Sequence, residues 1–557
     1  MLEFHGTRRS LGEVRRVLDL INLVQAKGVS GEFFDARATA LNTGNKTGYG
    51  GVKDLFVVGG KKVEVSSLIF LMHAPSCGRK LSQSAEKYTD GFFAKPGSSI
   101  PSLETLHSAC SWGKFVFPAR TVNKVYGPID IGPCKGTSRT AGNYDFSSSC
   151  WGPEHGFLVE KAKSWLQAND PETYKNWKNY RRNHYIFPFV EASSCFYAGM
   201  ASVGCPGGQD CFSVINQYEW LSGTFPGLNM HELSHNIGLA HSARRICDGS
   251  GTCSVSEYGD PTCIMGGASP SSGFNAAGAY VCMSAPQAYK AGWATPIAEV
   301  DYKALALGRT FTMPSMATTD QNLVRITMAP ARQVDIGGFT KKTKQAAFFI
   351  SYRAKNRTSA YDNGLRDDFQ QRLYVHYWDE TQDAVSSELS NPPQLWQVLD
   401  VPNGKGEAPV MKDDGKYRFG ALSTTFEYKF GGGRIVVRIT GKTQAAATVY
   451  MCFATVTKED DASCDGNGDD DCDGLSDDED PDCIGGGRKA SPPPPPPLRS
   501  FKSPPPPPRP PPPPPPSPSP RRSPQSPPPR RSSPPPPSDP PKRKKPKNRS
   551  VRRGRLV

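Results

Sequence analysis

Met230-His231-Glu232-Leu233-Ser234-His235-Asn236-Ile237-Gly238-Leu239-Ala240-His241-Ser242 is the stretch on which the reading of this chain turns. It carries His-Glu-x-x-His, extended by x-x-Gly-x-x-His. On a helix, His231 and His235 stand one turn apart and project from one face, so both imidazoles can reach one metal ion while Glu232 points toward its open position. Gly238 can take a positive φ, end the helix and let the chain swing back, bringing in His241 as a third ligand. Three neutral imidazoles plus water describe a catalytic Zn2+ site, with Glu232 as the general base of peptide-bond hydrolysis. With nine histidines in 557 residues, a chance match to all five positions is on the order of one in a hundred thousand. Three ordinary histidines on an amphipathic helix is therefore the weaker explanation.

Downstream, Glu257-Tyr258-Gly259-Asp260-Pro261-Thr262-Cys263-Ile264-Met265-Gly266 supplies a turn whose methionine lies 24 residues past His241. The extended zinc motif followed by such a turn resembles the metzincins. The wording of the turn, with Cys110-Ser111-Trp112-Gly113-Lys114 and Gly132-Pro133-Cys134-Lys135-Gly136, resembles the gametolysin family of algal cell-wall and extracellular-matrix metallopeptidases. That resemblance implies zinc ligands at His231, His235 and His241, a base at Glu232, and Met265 packed beneath the ligands. On its own composition Met265 reads as core filler. Some metzincins carry a tyrosine two residues after this methionine, where this chain has Gly267.

Around the motif, buried strands are expected at 63–72, 115–117 and 185–190 and a helix at 156–168, an alternation that suits an α/β or α+β arrangement. Beyond Pro296 the texture changes to alternating strands at 323–327, 372–377 and 434–439, separated by turn residues such as Asp362-Asn363-Gly364. The expected architecture is an α+β metzincin-like catalytic domain with a twisted mixed sheet, a β-rich antiparallel domain, and a disordered Pro-rich tail. The boundaries are 1–60 (N-terminal segment, a propeptide remnant or lead-in strand), 61–295 (peptidase), 296–457 (β-rich), 458–484 (acidic, Cys-containing) and 485–557 (tail).

The tail stands apart in composition: 31 of the 53 prolines lie in its 73 residues, with 18 Lys+Arg against the single Asp539. The formal charge of +14 therefore belongs to the tail, which weakens any case for nucleic-acid binding by the folded part. Its proline runs form extended polyproline II and cannot bury a core. They resemble hydroxyproline-rich wall glycoproteins, and its basic residues suit acidic wall polymers; a spacer or a ligand for proline-binding domains is the alternative.

Eleven of the 15 cysteines fall between Cys77 and Cys282, a density that suits a disulfide-stapled extracellular protein. The sequons at Asn45 and Asn356 point the same way, although the opening residues do not read as a secretory signal. The odd count leaves at least one thiol unpaired, coordinating, or bridging to another chain. Cys77-Gly78, as a latency switch reaching the metal, is the lesser reading beside a disulfide. No run of 18 apolar residues is present, so no transmembrane segment is expected.

In the acidic segment, 13 of the 24 residues from 459 to 482 are Asp or Glu. Asp469, Asp471, Asp473, Asp477 and Asp480 fall at positions 1, 3, 5, 9 and 12 of a loop with Gly474 at 6, the spacing of a Ca2+ loop without EF-hand helices. Together these features predict a secreted zinc endopeptidase acting on hydroxyproline-rich wall or matrix glycoproteins. The alternatives are a matrix glycoprotein whose peptidase domain is inactive, and an intracellular protein in which Lys542-Arg543-Lys544-Lys545 is a nuclear signal.

Overall fold

The computed structural model describes most of residues 61–484; the N-terminal segment 1–60, the tail 485–557, both sequons and several internal stretches, the longest being 402–421, lie outside the described residues. The fold is mixed α+β, with several sheets and few helices. Among the described residues no helix is long and apolar enough to cross a membrane.

A five-stranded sheet carries the site. Its strands are β1 (Ser67–His73), β2 (Asn123–Asp130), β3 (Arg182–Phe187), β4 (Gly199–Ala201) and β5 (Phe212–Asn216), in the order β2-β1-β3-β5-β4. All pairs are parallel except β4 with β5. β1 is a near-continuous apolar run because both of its faces are covered: Ile69 and Leu71 belong to the core that also holds Leu233 and Ile237, while Leu68 and Phe70 pack with Leu158 and Trp177 on the opposite side. The strand expected at 63–72 is thus two pieces. Val63–Glu64 leaves the sheet and pairs with Phe115–Val116. The helix expected at 156–168 runs Pro153–Asn169, with a proline in its first turn.

Eleven further strands build two more sheets: β6 (Ala243–Cys247), β7 (Cys253–Ser256), β8 (Thr295–Asp301), β9 (Arg309–Pro314), β10 (Gln321–Thr327), β11 (Ala346–Arg353), β12 (Arg372–Asp379), β13 (Gln394–Leu399), β14 (Thr425–Phe430), β15 (Gly433–Lys442) and β16 (Ala446–Ala454). A seven-stranded sheet has the order β7-β6-β13-β12-β11-β10-β8, and a four-stranded sheet the order β9-β16-β15-β14. Val324, Ile326, Phe348 and Ile350 pack between these sheets with Val437, Val449 and Met451.

Pairing beyond Pro296 is not purely antiparallel. β8 lies parallel to β10, and β6 parallel to β13. Parallel neighbours need a crossover; the chain makes one between β8 and β10 by visiting the other sheet as β9. The seven-stranded sheet also spans position 296, since β6 and β7 precede it. Leu323, Ala347, Phe349 and Trp378 pack in the same core as Leu233 and Met265.

Candidate metal centre

The helix Phe225–Asn236 lies against the five-stranded sheet and presents the motif. It is tied down at several points. Asn236 Nδ2 donates to the carbonyls of Ser202 (3.0 Å) and Phe212 (2.9 Å), Arg182 of β3 reaches the Leu233 carbonyl at 3.4 Å, and His184 of β3 hydrogen-bonds Asn229. The helix stops at Asn236, and Gly238 then takes φ +81°, a left-handed conformation that glycine adopts without steric cost. The reversal returns His241 to the two helical histidines.

The three rings face one another, with centroids 4.9 Å apart for His231–His235, 4.8 Å for His235–His241 and 5.4 Å for His231–His241. One ligand atom from each lies within 4.8 Å of the others. Every Nδ1 is engaged by an oxygen. His231 Nδ1 lies 2.8 Å from the Ile264 carbonyl, His235 Nδ1 2.8 Å from the Leu239 carbonyl, and His241 Nδ1 2.6 Å from Glu257 Oε1. An Nδ1–H held in this way leaves Nε2 as the lone-pair nitrogen on each ring, the tautomer a metal needs.

Electrostatics point the same way. Burial pushes the pKa of all three imidazoles down, and for His235 and His241 the neighbouring rings lower it further, so the rings stay neutral as metal ligation requires. Burial pushes the carboxyl of Glu232, only 5% exposed, up to about 8. The donors present fit a divalent ion of borderline softness.

Met265 is fully buried in the core beneath the helix. Its turn acts through the backbone: the Ile264 carbonyl holds His231, and the Met265 carbonyl accepts the Ser242 amide at 2.8 Å. Cys282, disulfide-bonded to Cys110, accepts the Ile264 amide through its carbonyl at 3.3 Å. Gly267 has a steric reason, because a Cβ there would lie 2.6 Å from the Tyr258 carbonyl oxygen. The Tyr258 ring sits 4.0 Å from that of His241.

The floor of the site is held from β11 and β12. A buried ion pair joins Arg353 of β11 to Asp362, with Nε–Oδ2 2.7 Å, and Arg353 also donates to the Thr262 carbonyl. Asp260 accepts from the Ser242 hydroxyl (2.8 Å) and the Thr262 amide (2.9 Å), and lies 3.2 Å from His376 Nε2 of β12.

Neither Glu257 nor Gly199 stands out in the sequence. A Cβ on Gly199, in the terminal strand β4, would lie 2.6 Å from Glu232 Cγ, so the backbone of that edge strand runs directly beside the carboxylate. Only a glycine within a short strand marks the position in sequence.

Among the described residues, disulfides join Cys77–Cys134, Cys110–Cys282, Cys247–Cys253, Cys452–Cys472 and Cys464–Cys483, and Cys150 and Cys211 are disulfide-bonded as well. Cys77 is therefore bonded and not a metal-reaching thiol. Cys263, next to the Met265 turn, is a buried free thiol whose sulfur accepts the Ser284 amide at 3.1 Å.

In the acidic segment, Glu459, Asp469 and Asp471 bring carboxylate oxygens together, as do Asp471, Asp473 and Asp480. Asp477 is buried but belongs to neither group. Glu459 lies outside the spaced loop motif.

The fold and the histidine cluster together define a metal-dependent peptidase. The pattern of the family described as Gametolysin peptidase M11 matches residues 66–397, more than half of the chain, and the chain belongs to that family. It is also 29% identical over 502 residues to "Autolysin" from Chlamydomonas reinhardtii, covering 78% of this chain and 72% of that protein. No solved structure matches.

Proposed function

We propose that this metallopeptidase is a secreted zinc endopeptidase of metzincin type that cleaves hydroxyproline-rich glycoproteins of a cell wall or extracellular matrix. The observation carrying the zinc reading is the outward tethering of all three Nδ1 atoms, which turns His231, His235 and His241 into a convergent set of Nε2 donors. Bound there, zinc would supply Lewis-acid polarisation of the scissile carbonyl and a lowered pKa for water. Glu232 takes the proton of the attacking water on its carboxylate and gives it to the leaving amine. Substrate lies extended along β4, the terminal strand of its sheet among the described residues, by strand addition, with Gly199 keeping room for Glu232.

Residues 61–295 supply the chemistry in this reading, 296–457 buttress it, the segment 458–484 takes calcium, and the basic tail contacts acidic wall polymers. Similarity to an autolysin and the disulfides support the extracellular wall setting. The test compares wild type with Glu232→Ala for zinc content and for cleavage of casein and wall glycoprotein. We expect stoichiometric zinc in both and a loss of at least ~10³-fold in kcat for the variant. Equal inactivity of the two proteins would instead identify an inactive matrix module.

A further inference from the structure

We propose that the acidic module holds a pair of calcium ions bridged by Asp471, with Glu459, from outside the spaced loop, as a ligand of one of them. This deepens the calcium reading of the segment and rests on it. Calcium–oxygen distances of ~2.3–2.6 Å place oxygens on opposite sides of one ion about 5 Å apart at most. The carboxylates of Glu459, Asp469 and Asp471 offer oxygens within 4.8 Å of one another, and those of Asp471, Asp473 and Asp480 do the same. Each trio is the size of one ion, and Asp471 is the single member of both.

A second observation points to a ligand. Asp480 is only 1% exposed; its Oδ1 accepts the Asp482 amide at 2.6 Å, whereas its Oδ2 is buried and has no hydrogen-bond partner. A buried carboxylate oxygen is left dry in native proteins only when something else meets it. The nearby guanidinium groups donate to backbone carbonyls, and Arg434 also pairs with Glu427 at 3.8 Å. Arg434 donates to the Asp471 carbonyl at 2.7 Å, and Arg438 to those of Cys472 (2.8 Å) and Asp473 (2.6 Å). Lys458 reaches Asp482 at the exposed rim.

The frame is rigid enough to hold such a centre. Cys452–Cys472 ties the loop to β16, Cys464–Cys483 closes its far side, and the Tyr450 hydroxyl of β16 donates to Asp469. The cysteines near Glu459 are therefore oxidised and offer no thiolate, so the donors are hard oxygens, which select calcium over zinc or copper.

Calorimetric titration of EGTA-treated full-length protein with calcium alone tests this. We expect two ions per wild-type chain. Asp471→Asn should weaken both, Glu459→Gln only one and Asp480→Asn only the other, each by ~10-fold or more, with disulfide mapping reporting correct folding of each variant. One ion per chain, indifferent to Glu459→Gln, would overturn the pair yet leave calcium in the loop; no bound calcium would overturn both. The wild-type stoichiometry decides even if a variant fails to fold. Zinc content of the same preparations, measured before EGTA treatment, follows the histidine site separately, so failure of the peptidase reading is told apart.

Discussion

The imidazoles of the histidine site are held neutral by burial, and each has its Nδ1 anchored to an oxygen of the protein. In the acidic module, carboxylates crowd together under cover, and one oxygen of Asp480 has no hydrogen-bond partner. The first arrangement is satisfied before a metal arrives, because neutral rings in a core cost little to bring together. The second stores like-charge repulsion and desolvation that a bound cation would relieve. Preorganisation belongs to the peptidase site, and with calcium bound as proposed the order of the module is ion-dependent.

Chelation separates the two most sharply. Removing zinc with phenanthroline should abolish cleavage yet leave amide-exchange protection of Phe225–Asn236 in place; EGTA should strip protection from 458–484 instead. Loss of protection in the histidine helix on zinc removal would erase the contrast.

Steric preorganisation is probed by Gly199→Ala. The new Cβ must displace Glu232, so we expect kcat to fall by ~10²-fold with zinc content unchanged by metal analysis. A smaller loss is expected from Glu257→Gln, which weakens the tether on His241 Nδ1: zinc affinity should drop by ~10-fold, measured by competition with a chromophoric chelator.

Acid sharpens the comparison least but touches the scaffold. His107 and His184 are fully buried, and burial lowers both from the usual 6.5 to about 3. The unfolded chain therefore binds protons that the fold refuses between those values. Stability is unaffected by these rings above pH 6.5 and should fall as pH drops from 6.5 toward 3, by up to ~1.4 kcal/mol per pH unit for each ring. Denaturant midpoints at pH 7 and pH 5 measure it.

Much of the peptidase site is legible in the sequence because its parts are local. His231, Glu232, His235, Gly238 and His241 lie within one helix and one turn, where periodicity and a glycine dictate geometry. The apolar run in β1 is readable for the same reason. Glu257 is not, since only the fold of the β6–β7 region carries it back to His241. Gly199 and Glu232 meet across an edge strand and a helix, and Asp260 meets His376 across 116 residues; neither relation leaves a periodic trace. The parallel pairing of β8 with β10 is equally silent, because alternation marks a strand but not the direction of its neighbour. In the acidic segment, spacing picks out Asp469, Asp471, Asp473, Asp477 and Asp480, of which Asp477 joins neither carboxylate group, while Glu459 arrives from a stretch with no motif.

The Arg353 contact has a consequence of timing. Arg353 supports the Thr262 carbonyl from 91 positions later in the chain, and His376 stands later still. A nascent or clipped polypeptide ending before β11 owns every imidazole of the centre yet lacks the strands that brace the turn beneath it. Translation thus delivers the histidine cluster ahead of its brace, and the Thr262 carbonyl and Asp260 gain their Arg353 and His376 partners only after β11 and β12 have emerged.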